Sequence, residues 1–193
     1  MGMDKVFVEI SEKYYISGKA PWTDSTFIAK VKERVLLEKP TLIGNIAPRL
    51  DKLETYEKEF VSLHEIPNKY TVVIFWEPNC GHCKKTVPKL YKAIQKIKSD
   101  NIDIQALALN SHFDREPWEA FIEKQELFDW INAYDKYYFS NFKQTYDIQT
   151  TPQIFLLDKD KKIIGKKLAV EQVELIIYSL ENIELPKDEK KEI

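Results

Sequence analysis

Cys80-Gly81-His82-Cys83 holds both cysteines of the 193-residue chain, and it constrains the fold more than any other stretch. The apolar run Thr71-Val72-Val73-Ile74-Phe75-Trp76 leads into it, and the helical pattern Lys84-Lys85-Thr86-Val87-Pro88-Lys89-Leu90-Tyr91 leads out. A strand therefore delivers the pair to the first turn of a helix. Unpaired N–H groups and the positive dipole end of that helix favour an anion. A thiolate at Cys80 is the anion on offer, and it is the reactive form of cysteine. His82, when protonated, adds a second positive neighbour. The two cysteines are also close enough to close a small disulfide ring. The motif reads as a redox dithiol.

The flanking pattern predicts the architecture. Strand 71–76 is apolar throughout, as expected of a strand buried on both faces. The helix after it spaces Val87, Leu90, Ile94 and Ile97 on one side. Pro88, inside that helix, removes a backbone hydrogen bond and should kink it. A second apolar strand runs from Ile102 to Leu109, and a helix containing Trp118, Phe121 and Ile122 starts at Asp114 or Arg115. This strand-helix-strand-helix order predicts an α/β fold, a central mixed sheet with parallel members and helices on both faces. Asp129 to Ala133 is a short apolar step, and Ser140 to Tyr146 reads as a helix. Residues 153–157 and 162–166 form an antiparallel hairpin around Asp158-Lys159-Asp160-Lys161. A final helix, Val170 to Ile183, carries Val173, Leu175, Ile176, Ile177 and Leu180 in a stripe.

Upstream, a helix from Asp4 to Ser17 ends at Gly18, and Thr23 or Asp24 caps a second with Phe27, Val31, Val35 and Leu36 on one side. Residues 1–40 are therefore read as a helical extension for packing or docking. Residues 41–185 are read as the main domain and the charged stretch 186–193 as a frayed tail. Within the main domain, Leu42 to Pro48 is a short apolar run broken by glycine and proline. Thr55-Tyr56 and Glu59 to Leu63 suggest a pair of short strands.

Lysine plus arginine number 29 and aspartate plus glutamate 31, a net charge of −2 that gives no long-range pull toward nucleic acid or acidic membranes. No apolar run approaches the roughly 18 residues of a membrane-spanning helix. No secretory signal is present. Met1-Gly2-Met3 looks like a cloning start, which would place any signal or lipid anchor upstream of the sequence. Two cysteines are too few for a disulfide framework or a four-sulfur zinc site.

Taken together, the motifs resemble the thioredoxin superfamily. Phe75-Trp76-Glu77-Pro78-Asn79-Cys80-Gly81-His82-Cys83-Lys84-Lys85 is similar to its active-site strand end, loop and helix start. Pro88 falls at the family's helix proline, and Thr151-Pro152 resembles its cis-proline beside the dithiol. The preamble Ile43-Gly44-Asn45-Ile46-Ala47-Pro48 and the segment inserted before the hairpin resemble the redoxin branch, the TlpA- and ResA-like thiol-disulfide oxidoreductases of bacterial cell envelopes. The resemblance covers about residues 41–183. It implies a thioredoxin-like fold, no cofactor, protein thiol and disulfide substrates, an upstream redox partner and a periplasmic or envelope location.

By the same resemblance Cys80 is the attacking thiol, Cys83 the resolving one, and Thr151 offers its backbone to an extended substrate segment beside a cis Pro152. His82 is expected to tune Cys80. Trp76, Pro78, Phe113 and Trp118 are candidates for an apolar docking surface. Gly-His between the cysteines is the pair of the disulfide isomerases, whose potential is near −180 mV against about −270 mV for thioredoxin. A potential above thioredoxin's is therefore expected. The chain departs from the family in three places. Asn79 replaces the tryptophan before the first cysteine, Ile74 stands where thioredoxin keeps a buried acid, and Thr86 stands where ResA-like proteins carry a glutamate. Glu77 or water is then left to exchange the proton of Cys83. Competing readings are a peroxiredoxin, a copper chaperone, a metal site using Cys80, Cys83 and His82 or His112, a structural disulfide, and a binding module docking through its N-terminal helices.

Overall fold

The computed structural model describes residues 3–112 and 114–184. Phe113 and the tail 186–193 lie outside the described residues. Helix α1 (Asp4–Ile10) runs on into a wider turn over Ser11–Ile16, and α2 (Ser25–Glu38) follows. The Asp24 carboxylate accepts the Phe27 N–H at 2.9 Å and so caps α2. Strands β1 (Leu53–Thr55), β2 (Phe60–Val61) and β3 (Tyr70–Trp76) precede α3 (Cys83–Ser99). Then come β4 (Ile104–Asn110), α4 (Arg115–Gln125), β5 (Ile131–Tyr134), α5 (Phe142–Thr145), the hairpin β6 (Gln153–Leu157) and β7 (Ile163–Lys166), and α6 (Val170–Leu180).

The strands form one mixed sheet in the order β2-β1-β5-β4-β3-β6-β7. β3, β4 and β5 are parallel. On one side β6 pairs antiparallel with β3 and β7 antiparallel with β6; on the other, β1 pairs antiparallel with β5 and β2 antiparallel with β1. The two successive crossovers β3-α3-β4 and β4-α4-β5 step the same way across the sheet. Right-handed connections then put α3 and α4 on one face. The return from β5 to β6 steps the opposite way and puts α5 on the other.

The side-chain alternation of β3 divides the core. Val72, Ile74 and Trp76 join Cys83, Leu90, Ile94 and Ile97 of α3, with Trp118 and Ile122 of α4 and Val173 and Ile177 of α6. Val73 and Phe75 join Leu50, Leu63, Tyr146 and Phe155 on the opposite face. Phe75 stacks on Phe142 with ring centroids 5.4 Å apart.

Several sequence expectations shift. The apolar step at 129–133 is a full strand, β5, because two neighbours, β4 and β1, satisfy its backbone. The final helix buries Val170, Val173, Ile177 and Tyr178, whereas Leu175 and Leu180 stand exposed. Leu36 of α2 is likewise exposed, and Val31 and Val35 carry the packing against Val8. Among the described residues no helix is long and apolar enough to cross a membrane.

Candidate active site

β3 ends at Trp76, and a tight turn carries the chain from Glu77 to the start of α3. The Cys80 N–H donates to the Glu77 carbonyl at 3.3 Å, and the Cys80 carbonyl accepts the Lys84 N–H at 3.1 Å. The turn is thus continuous with the helix. His82 sits at the N-cap position, exposed, with Cys83 as the first helical residue. Cys80 is half-buried, Cys83 is wholly buried, and both are free thiols. The Cys80 Sγ accepts the Cys83 N–H at 3.3 Å and itself donates to the Thr151 carbonyl at 3.4 Å. Thr151 stands beside the helix start because β6 pairs with β3 directly after it; the Thr151–Pro152 bond is cis.

The environment separates the two thiols. Burial alone would push Cys80 up. The N–H and side chain of Cys83, the Thr151 side chain and the His82 main chain outweigh it and hold Cys80 below an ordinary thiol. Burial pushes Cys83 up to about 12, and the Glu77 main chain and the Thr151 side chain offset only part of that. The thiol held low is therefore also the more accessible one.

Next to the dithiol lies an open cleft of about 150 Å³ lined by Glu77, Ser111, His112, Lys143, Gln149 and Thr151, among others. The Thr151 hydroxyl donates to the Glu77 carboxylate at 2.8 Å across the entrance. His112 follows the end of β4, with its N–H donating to Asn110 Oδ1 at 3.1 Å. Among the described residues no three His, Cys, Asp or Glu side chains are grouped to hold a metal ion.

The Thioredoxin-like family is matched over residues 68–163, from the turn before β3 to the start of β7. The thiol-disulfide oxidoreductase ResA of Bacillus cereus (strain ZK / E33L) is 26% identical over 141 residues, 73% of this chain and 78% of that protein. A solved domain of a possible thiol-disulfide isomerase from Cytophaga hutchinsonii is 34% identical with a TM-score of 0.67, covering 73% of this chain and 94% of its own. A thiol-disulfide oxidoreductase from Bacteroides fragilis is 25% identical with a TM-score of 0.61, covering 70% and 99%. The chain belongs to the thioredoxin superfamily, in its ResA- and TlpA-like branch. It is an oxidoreductase of the thiol-disulfide family.

Of the residues singled out in this thioredoxin-like chain, Cys80, His82, Cys83, Thr151 and Pro152 come together at one end of the sheet. Trp76 and Pro78 do not offer a docking surface. Trp76 is 0% exposed, packed against Phe121 with centroids 4.9 Å apart, and Pro78 is buried too. Trp76 points inward because it falls on the same alternation as Val72 and Ile74, and Trp118 is equally buried against Tyr134. Ile74 lies in the cluster that contains Cys83, so the strand beneath the second cysteine supplies no acid. Sequence reading missed Lys143 and Gln149 as cleft residues and the bond from Thr151 to Glu77. An acid just before the motif and a hydroxyl just before the cis-proline were the only signals, and neither fixes a distance across 74 residues.

Proposed function

We propose that this protein exchanges electrons with protein thiols and disulfides through Cys80 and Cys83. The observation that carries the reading is the asymmetry of the pair, a half-exposed sulfur held by the Cys83 N–H above a wholly buried one. In the reducing direction Cys80 thiolate attacks a substrate disulfide, forms a mixed disulfide and expels one substrate thiolate. Cys83 then attacks Cys80, closes the intramolecular disulfide and releases the second substrate sulfur as a thiolate. The oxidising direction runs the same steps backward. Thr151 presents its backbone to an extended substrate segment. His82 tunes Cys80 from the helix N-cap.

Anything that stabilises the reduced thiolate raises the potential, so a value above thioredoxin's is expected. Titration in glutathione buffers with thiol trapping reads it, and a value at or below thioredoxin's contradicts the tuning. The function itself is tested by trapping. Cys83→Ser should accumulate a mixed disulfide through Cys80, and Cys80→Ser should form none. A Cys83→Ser protein that captures no disulfide overturns the reading.

A place in the bacterial envelope and an upstream redox partner exchanging electrons with the dithiol are part of this proposal, resting on the ResA-like resemblance. Residues 1–40 are proposed as a helical extension to a main domain spanning 41–185, with 186–193 as a tail.

A further inference from the structure

Cys83 must lose its proton before it can resolve a mixed disulfide. Ile74 is buried beneath it and ionises at no pH, and burial opposes the thiolate. The Glu77 carboxylate makes no direct hydrogen bond to the sulfur. It is reached through one hydroxyl. Thr151 Oγ1 has a single proton, and it is donated to Glu77 Oε1 at 2.8 Å. The lone pairs of that oxygen remain free to accept. Thr151 is anchored at the dithiol by its carbonyl, which accepts from Cys80 Sγ at 3.4 Å, and its side chain is one of the groups that lower the Cys83 thiol against its burial. The other titratable groups facing this corner are Cys80 in the turn, His112 after β4 and Lys143 on α5.

We propose that Glu77, acting through the Thr151 hydroxyl, takes the proton that Cys83 gives up when it resolves the mixed disulfide. The inference rests on the dithiol reading above and assigns the step that reading leaves open. The thiol proton of Cys83 moves to Thr151 Oγ1 as the hydroxyl proton moves to Glu77 Oε1. The carboxylate becomes a carboxylic acid, and the hydroxyl is regenerated with its proton turned toward sulfur. The Cys83 electron pair forms the bond to Cys80 Sγ, and the bond from Cys80 to the substrate sulfur breaks. Its electron pair leaves on the substrate, which is reduced while Cys80 and Cys83 are oxidised. Glu77 then returns its proton to the departing thiolate or to water. In the oxidising direction the relay runs in reverse and reprotonates Cys83. Glu77 is thus a positioning residue for the proton, working through Thr151.

The test uses the reduced full-length protein mixed rapidly with an aromatic disulfide that yields a coloured thiolate. The first release of colour reports attack by Cys80, the second reports resolution by Cys83. Glu77→Gln should slow the second release about 100-fold, the lower range for a positioned acid-base group, and slow the first far less. Thr151→Val should slow the second release similarly, Thr151→Ser should restore it, and the double variant should be no slower than either single one. The wild-type second phase should fall off at acid pH, and Glu77→Gln should lose that limb. If Glu77→Gln does not fold, Thr151→Val carries the test, because it cuts the path with Glu77 in place. A second release at the wild-type rate and pH profile in either variant overturns the relay and leaves the dithiol reading standing. Absence of a first release in the wild type overturns the dithiol reading itself.

Discussion

Cys80 and Cys83 are three residues apart and their surroundings shift the two thiols in opposite directions, which has consequences for stability as well as chemistry. An unfolded cysteine titrates near 8.5. Folded Cys83 holds its proton far above that, so above about pH 8.5 the unfolded chain releases a proton that the native one keeps. Stability of the reduced protein should therefore fall as pH rises past that point. Folded Cys80 releases its proton first, so its contribution is gained as pH rises toward 8.5 and is lost as pH falls through its lowered value. Thermal melts of the reduced protein between about pH 7 and pH 10 test both signs. Cys83→Ser should flatten the alkaline loss, and Cys80→Ser should remove the gain below about pH 8.5. At this scale the sequence identified the two cysteines as a redox pair, because they stand together at a strand-helix junction; their order of use is what the family resemblance implies. It misread Trp76 and Pro78, because a large apolar side chain near a motif looks the same whether it points into the core or out of it.

At the scale of elements, α3 is the member that fixes the site. Its stripe of Val87, Leu90, Ile94 and Ile97 was legible from spacing alone, and all four side chains are 0% exposed. Leu90→Ala should cost about 3 kcal/mol in denaturant unfolding, the middle of the range for a large-to-small change in a closed core. The link between α2 and the cis-proline segment was not legible. Asp147, 1% exposed, gathers Arg34 of α2 at 3.0 Å, Lys167 at 3.1 Å and Gln149 at 3.1 Å. Burial alone would raise this carboxyl, but those partners outweigh it and hold it below the usual carboxylate range. Asp147→Ala should cost about 2 kcal/mol through the loss of charge-assisted hydrogen bonds, read as a lower denaturation midpoint at unchanged slope. An aspartate five residues before a proline carries no mark of a partner 113 positions upstream.

Across the whole molecule, lowered carboxyls recur where segments distant in sequence meet. Lys136, Tyr134 and Arg115 depress Glu54, joining β1 to β5 and α4. Asn68 and the Lys69 N–H depress Asp103 before β4, and Lys69 and Tyr70 depress Glu181 after α6. Each group binds more protons unfolded than folded as pH falls below about 4. Stability present above the ordinary carboxylate range is therefore lost as pH drops through the lowered values. Melting temperature should fall steeply below about pH 4, and unfolding there should take up protons.

The sequence by itself determined the α/β class, the dithiol, the parallel core strands and the hairpin with its Thr-Pro. These are properties of local period and of motifs a few residues long. Tertiary structure alone decided that β5 is a strand, that Trp76 faces inward, and that Thr151 reaches both Glu77 and the Cys80 sulfur. Those outcomes depend on which strand pairs with which and on distances across the sheet. Side-chain periodicity sets a face, but only the packed sheet sets what that face meets.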